Sequence, residues 1–485
     1  MALAVSLPEV RDLFYAGAFQ EPKGGYGTTA NPANGASLGS MAMANGEDVD
    51  LAVRAAHEAF QEWRHLEPAR RATCLRILAD RIREEADHLG RLDSLNTGNP
   101  VSEMMKDAAA GAALIDYFAG IAGQAKGNTI PMGPHALNYA VLEPLGVVAR
   151  IVAYNHPLMF LASRLAAPLA AGNTVVLKAP DQAPLSAYRL AEIVADIFPA
   201  GVVNILTGGR ECGEALVAHK LVKKVTLIGS TETGRAILHG SADKIMPAQL
   251  ELGGKNPFIM CADADLEHAI DGAIAGMNFV WAGQSCGSTS RCFVHRSIYE
   301  EVLQEFARRI PLRHQCGDPS DPATTMGSLI SRAQFEKVMG FIDDSNKDGA
   351  RLICGGGPPD DAALADGWFV EATVFADVTP EMRLFREEVF GPVLAVIPWD
   401  DEDELIAMVN DSEYGLTGAI WTSDLKRAHR LAGLVESGYI WINHVGAHFV
   451  GTDFGGYKSS GLGREEGFSE LLAFTQSKNI HVSLR

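Results

Sequence analysis

Apolar residues recur at helical spacing through 47–65 (EDVDLAVRAAHEAFQEWRH), behind an acidic first turn that suits the positive end of a helix. The same spacing predicts helices over 68–95 and 101–123, with Gly98, Asn99 and Pro100 as the break between them. From 124 to 143 Gly, Pro and Asn accumulate, and Ala136–Glu143 then alternates loosely, which predicts an edge strand or hairpin. From 146 onward β-rich apolar runs alternate with helical stretches. Strands are expected at 146–152, 173–178, 202–206 and 224–228, and helices at 157–171, 184–197 and 211–218. This rhythm predicts an α/β fold with a parallel, doubly wound sheet and a ligand at its carboxyl edge. A second α/β block follows over about 255–450, with helices at 265–280, 297–310, 402–410 and 424–436. Its strands are expected near 293, at 393–397 and at 418–421, and residues 478–485 alternate like an edge strand.

A chain of 485 residues is too long for one hydrophobic core, so two or three domains are expected. The net charge of −19 speaks against nucleic acid or an anionic membrane as partner, because both are met by basic patches. No apolar run approaches the roughly 20 residues that span a bilayer, and residues 1–10 lack the basic start and long apolar centre of a signal peptide. The seven cysteines are scattered, with no CxxC pair and no His/Cys cluster at zinc-ligand spacing. Reduced thiols in a cytoplasmic protein without a metal site are the expectation.

Three stretches carry candidate chemistry. Trp281-Ala282-Gly283-Gln284-Ser285-Cys286-Gly287 sets one thiol among small residues after a helical apolar run. Glu251-Leu252-Gly253-Gly254-Lys255 places a carboxylate on a second glycine-bearing segment. Thiol and carboxylate on separate glycine-bearing segments suggest a nucleophile and a base that meet across a cleft. The strand at 224–228 runs into Gly229-Ser230-Thr231-Glu232-Thr233-Gly234, a strand-to-helix turn whose N–H groups suit a phosphate.

With Tyr154-Asn155, Lys178-Ala179-Pro180-Asp181, Glu388-Val389-Phe390-Gly391-Pro392 and Phe454-Gly455-Gly456, these stretches resemble the aldehyde dehydrogenase superfamily from about residue 15 to the C-terminus. The resemblance implies a Rossmann-like cofactor domain over 1–123 and 145–252, and a catalytic domain over 253–460. It also implies a small β oligomerisation segment from 124–144 and 474–485, and a homodimer or homotetramer.

The resemblance makes Cys286 the nucleophile toward an aldehyde, with Asn155 and the Cys286 N–H as donors to the oxyanion. Glu251 is then the general base that hydrolyses the thioester to a free acid. A thiol of pKa about 8.5 needs help to ionise, and a cation such as Lys178 is one source. Relatives that pass the acyl group to coenzyme A usually lack a glutamate in the Glu251 motif. That route, and a catalytically silent binding protein on the same scaffold, are the competing readings.

The cofactor implied is NAD, with NADP possible. Ser230 and its turn hold the pyrophosphate, Glu388 the nicotinamide ribose with Phe390 beside it, and Lys178 and Asp181 the adenosine ribose. Ile151, Tyr154, Gly229, Gly234 and Leu252 complete the set. Asp181 stands where the family has glutamate, and Arg210 replaces a small residue. His156 follows Asn155 where an aromatic is common, and Phe160 and Ser163 come next, the latter where many relatives place tryptophan. With His448 these residues imply a polar-lined tunnel for an aldehyde bearing a carboxylate, hydroxyl or aromatic ring.

Overall fold

The computed structural model describes residues 5–484. The start of the N-terminal stretch read for a leader (1–4) and the last residue of the expected C-terminal strand (485) lie outside them. The strands Val147–Ile151, Thr174–Lys178, Val203–Leu206, Val222–Ile228 and Ala248–Glu251 form the parallel centre of an eight-stranded sheet. Their side-by-side order is 248–251, 222–228, 147–151, 174–178, 203–206. Successive strands add on one side of 147–151 and then on the other, so a crevice opens at the carboxyl ends where the direction reverses. A hairpin, Leu13–Tyr15 with Ala18–Gln20, closes one edge, and Gly461–Leu462 closes the other. These edge strands, three residues or fewer, escape a periodicity reading.

The central strands are apolar on both faces because helices cover both. Pro157–Ala171 is buried along all but one of its residues and begins where Pro157 takes the first helical position. Gly46–Trp63 starts at a capping box in which the Asn45 side chain accepts from Asp48 and Asp48 answers the Asn45 N–H. The stretch expected as one helix over 68–95 is two, Pro68–Glu84 and Ala86–Thr97, bent at Glu85 (φ −102°, ψ 10°). Val101–Ile121 follows Pro100 as expected.

A seven-stranded sheet runs in the order Arg351–Cys354, Thr373–Ala376, Val393–Trp399, Arg291–His295, Pro257–Met260, Thr417–Trp421, Tyr439–Ile442. All its pairs are parallel except the first. The strands 257–260, 351–354, 373–376 and 439–442 and the helix Arg332–Lys347 go beyond the sequence reading. Thr475–Ser483 pairs antiparallel with Ala136–Pro144 along nine residues, and Thr129–Pro131 adds a third strand. The expected excursion and the C-terminal strand are therefore one sheet, with the C-terminal strand beginning at Thr475. Among the described residues no helix is long and apolar enough to cross a membrane.

Candidate active site

Glu251 is the last residue of its strand, and the next strand, 257–260, already belongs to the second sheet. The crossing segment is fastened at several points. Gly229 N donates to Glu251 O at 3.0 Å, Leu252 N to Ser460 O at 2.9 Å, and the Ser460 hydroxyl to Gly253 O at 2.7 Å. Cys286 lies in the loop between the helix Leu266–Gly276 and the strand Arg291–His295. The predicted helix over 265–280 stops at Gly276 because Asn278, Ala282 and Gly283 adopt left-handed backbone (φ 57°, 49° and 67°). At Gly283 a Cβ would meet Gly391 O at 2.1 Å, so only glycine fits. Asn256 ties loop to segment: its amide donates to Cys286 O at 2.7 Å and Ser288 O at 2.9 Å, while its Oδ1 accepts from Thr417 N.

Cys286, Glu251 and Asn155 line one cavity of about 380 Å³. Glu251 is 3% exposed, and its Oε1 has no hydrogen-bond partner among the described residues. Burial, with Glu465 nearby, pushes its carboxyl up to about 8. Burial and the adjoining Glu251 carboxylate push the Cys286 thiol well above its ordinary value. Two anions side by side in a buried cavity repel, so the resting pair favours its protonated forms. Asn155 is held through its carbonyl, which accepts from Asn99 Nδ2 at 3.0 Å. Among the described residues neither its side-chain amide nor the Cys286 N–H donates to a protein acceptor, so two donors stand unspent.

A second cavity, of about 620 Å³, lies at the carboxyl edge of the first sheet. It is lined by Ile151, Lys178, Asp181, Gly209, Arg210 and Thr233, among others. Lys178 therefore stands here and not in the Cys286 cavity; its amine donates to Ala179 O at 3.2 Å, and the thiol it influences is that of Cys212. The expectation that Lys178 assists Cys286 is corrected: the strand that carries it opens onto the other cavity. Ser230 caps the helix Thr231–Ala242 by accepting from Thr233 N. A Cβ on Gly234 would meet Leu252 Cδ1 at 2.7 Å, which sets that helix directly against the segment after Glu251. Glu388 Oε1 accepts from Gly254 N at 2.8 Å. Phe390, itself left-handed at φ 53°, meets Tyr154 edge-on with centroids 6.0 Å apart. Arg210 is 87% exposed and bound to Glu214 at 2.6 Å.

A group with an adenosine ribose at one end and a nicotinamide at the other fits these residues. The cavity has an ammonium and a carboxylate on its wall, and a Cβ at Gly209 or Gly213 would only come into ordinary contact with that wall, at 3.8 Å from Asp181 Oδ2 and 3.9 Å from Lys178 Cδ.

His156, Phe160 and His448 also line the Cys286 cavity; Ser163 does not. Its hydroxyl donates to Met159 O at 2.6 Å, one turn back in its own helix, which corrects its expected place in the tunnel. The sequence reading missed Asp107, Arg164 and Glu466 on this wall. Arg164 bonds Glu465 at 3.1 Å and Glu466 at 3.2 Å, and Arg150 bonds Glu465 at 3.2 Å and Glu470 at 3.1 Å. A lone arginine inside the apolar stretch 157–171 was the one local signal for this network.

The family model described as the aldehyde dehydrogenase family matches residues 19–480. The chain is 48% identical to aldehyde dehydrogenase tropH of Talaromyces stipitatus, over 99% of this chain and 94% of that protein. It is 40% identical to a betaine aldehyde dehydrogenase of Brucella melitensis, over 97% of each. An NAD+ complex of an aldehyde dehydrogenase from Bacillus cereus superposes with a TM-score of 0.95 at 39% identity, covering 99% of this chain and 98% of the other. With a family match across nearly its whole length and a thiol, a carboxyl and free amide donors in one cavity, the chain belongs to the aldehyde dehydrogenase family.

Proposed function

We infer that Cys286 is the nucleophile of an NAD(P)-dependent enzyme that oxidises an aldehyde to its carboxylic acid. The observation that carries this reading is the Cys286 thiol beside the buried Glu251 carboxyl, whose Oε1 has no partner among the described residues, inside one cavity.

Ionised Glu251 takes the thiol proton, and the sulfur attacks the aldehyde carbon to give a thiohemiacetal. The oxygen that gains charge accepts from the Asn155 amide and the Cys286 N–H. Donors of this kind contribute roughly 2.7–4 kcal/mol each. NAD supplies the hydride acceptor when bound, held by Ser230 and its turn, by Lys178 and Asp181, and by Glu388 with Phe390 and Tyr154 beside it; Ile151, Gly229, Gly234 and Leu252 complete that surface. A thioester remains on Cys286. Glu251 releases the thiol proton to solvent and, ionised again, takes a proton from water as that water's oxygen attacks the thioester carbon; the sulfur leaves as thiolate and the free acid departs. NAD is preferred over NADP, because Asp181 repels a 2′-phosphate while Arg210 is engaged with Glu214.

The unit built on the first sheet, 1–123 and 145–252, is the cofactor domain, and 253–460 is the catalytic domain. The oligomerisation segment of 124–144 and 474–485, which contains the three-stranded sheet of Thr129–Pro131, Ala136–Pro144 and Thr475–Ser483, holds copies of the chain together as a homodimer or homotetramer in the cytoplasm.

The experiment is NADH formation from an aldehyde panel, with free acid and acyl-coenzyme A measured as products. Free acid is expected with and without coenzyme A. Turnover should fall at least about 10⁴-fold in Cys286→Ala, and activity that survives this substitution ends the reading.

A further inference from the structure

Two histidines from distant parts of the chain line the Cys286 cavity, and each is backed by a carboxylate. His156 Nδ1 lies 2.8 Å from Asp107 Oδ2, and His448 Nδ1 lies 3.1 Å from Glu466 Oε2. A carboxylate only accepts, so Nδ1 carries the proton in both rings; Nε2, without a partner among the described residues, accepts from a hydroxyl on the neutral ring and donates only from the imidazolium. Burial lowers the basicity of His156, but Asp107 and Glu103 from the helix Val101–Ile121 and Asp93 from Ala86–Thr97 outweigh it and raise it overall.

The balance of donors and acceptors in the cavity is uneven. Of its lining carboxylates, Asp107 has His156, Glu466 has Arg164 and His448, and Glu251 alone stands without a basic partner. Arg164 keeps Nε and Nη1 as buried, unpartnered donors, and each imidazole keeps Nε2 free to meet an oxygen, accepting from a hydroxyl or, as imidazolium, donating to an anion. The surrounding walls are aromatic. His156 stands edge-on to Trp281 and Phe160, with centroids 4.8 Å and 5.6 Å apart, and His448 packs on Phe454 at 4.5 Å. Spare polar groups between aromatic faces fit a flat ligand that brings an acidic oxygen, ionised or carrying its proton.

We propose that the aldehyde oxidised here carries an acidic oxygen on a planar unsaturated body, and that His156 and His448 hydrogen-bond that oxygen through Nε2 while the carbonyl meets Cys286. A phenol, an enol and a carboxylate share this chemistry. The proposal rests on the reading of Cys286 as nucleophile.

The test compares kcat/KM of NADH formation for benzaldehyde, 3-hydroxybenzaldehyde, 3-carboxybenzaldehyde and betaine aldehyde. At least one of the two oxygen-bearing aldehydes should exceed benzaldehyde by about tenfold or more, as one charge-assisted hydrogen bond allows, and betaine aldehyde should rank last. Which of the two leads tells phenol from carboxylate. In His156→Phe and His448→Phe the lead over benzaldehyde should shrink about tenfold. Equal turnover of all four aldehydes, or a lead that survives both substitutions, overturns the proposal while leaving aldehyde oxidation intact. NADH from none of them defeats the catalytic reading itself. Should either variant fail to fold, the wild-type ranking decides alone, since a missing tenfold lead is already contrary to the proposal.

Discussion

The backbone amide of Gly254 donates to Glu388 Oε1 across 2.8 Å, which ties the expected ribose-binding carboxylate to the segment that carries Glu251. The same segment touches the nucleophile loop, because a Cβ on Gly254 would lie 2.7 Å from Cys286 O. Glu388, Glu251 and the Cys286 loop thus meet at one short stretch of backbone. Its neighbour Gly253 has no room for a side chain: a Cβ there would sit 2.2 Å from Glu388 Oε2. In Gly253→Ala the carboxylate must turn away. KM for NAD is expected to rise about tenfold, the loss of one charge-assisted bond, while Cys286 still reacts with a thiol reagent. Steady-state kinetics with NAD varied will show it, and an unchanged KM speaks against Glu388 as a ribose ligand.

Glu251→Gln separates the two half-reactions. The amide cannot take a proton from water, so thioester hydrolysis slows by about 10²–10⁴-fold and acyl-enzyme accumulates. Mass spectrometry of the denatured variant after mixing with NAD and an aldehyde is expected to find the acyl group on Cys286. An unmodified thiol together with wild-type turnover would refute the role of Glu251.

The raised proton affinity of Glu251 has a sign that activity can read. A base works in its deprotonated form, and burial with Glu465 nearby has moved this carboxyl up to about 8. kcat is therefore expected to rise with pH through about 8 and then level, the opposite of a loss on the alkaline side. In Glu251→Gln that inflection should vanish. A profile flat from pH 6 to 9 in the wild type contradicts the assignment.

Local pattern told much about the first sheet and little about how the site is closed. The alternation over 146–228 marked strands and helices because each central strand is apolar on both faces and each turn breaks the run. Cys286, Glu251 and the Gly229–Ser230 turn stood out for the same reason, small residues around a reactive one. Pro257–Met260 and Tyr439–Ile442 are four residues each, too short for a period to register. The set Arg150, Arg164, Glu465, Glu466 and Glu470 joins residues about 300 positions apart, and no window spans that. Lys178 and Ser163 fell on the right elements, yet which way a side chain points depends on the neighbouring strand or turn, and neither reaches Cys286.

That long-range set also fixes a stability outcome. Arg150 is fully buried, with Glu470 at 3.1 Å, Glu465 at 3.2 Å and the Phe474 ring 5.0 Å from its guanidinium carbon. Removing one partner of a buried ion pair leaves an uncompensated charge and costs about 3–5 kcal/mol. Glu470→Ala should lower unfolding stability by that amount in denaturant titration, and Glu470→Gln by less, because its amide oxygen still accepts. A change below 1 kcal/mol in the alanine variant would mean that Glu465 alone holds Arg150.

The proposed preference for NAD rests on the wall formed by Lys178, Asp181 and Arg210. In the proposed site Asp181 would set a carboxylate against the 2′-phosphate of NADP, and Arg210 on the same wall is turned outward onto Glu214 at 2.6 Å. Replacing Asp181 with alanine removes the repulsion but also an acceptor for ribose hydroxyls. The ratio of kcat/KM for NADP to that for NAD should rise at least about tenfold, since one like-charge contact of this kind is worth roughly 1–2 kcal/mol near a surface. Adding Glu214→Ala frees the Arg210 guanidinium to meet a phosphate, and the ratio should rise further in the double variant. The two steps are distinguishable, because the first weakens NAD as well as relieving NADP, and the second acts on NADP alone. A wild type that already prefers NADP, or an Asp181→Ala variant whose ratio stays put, would move the discriminating charge away from residue 181.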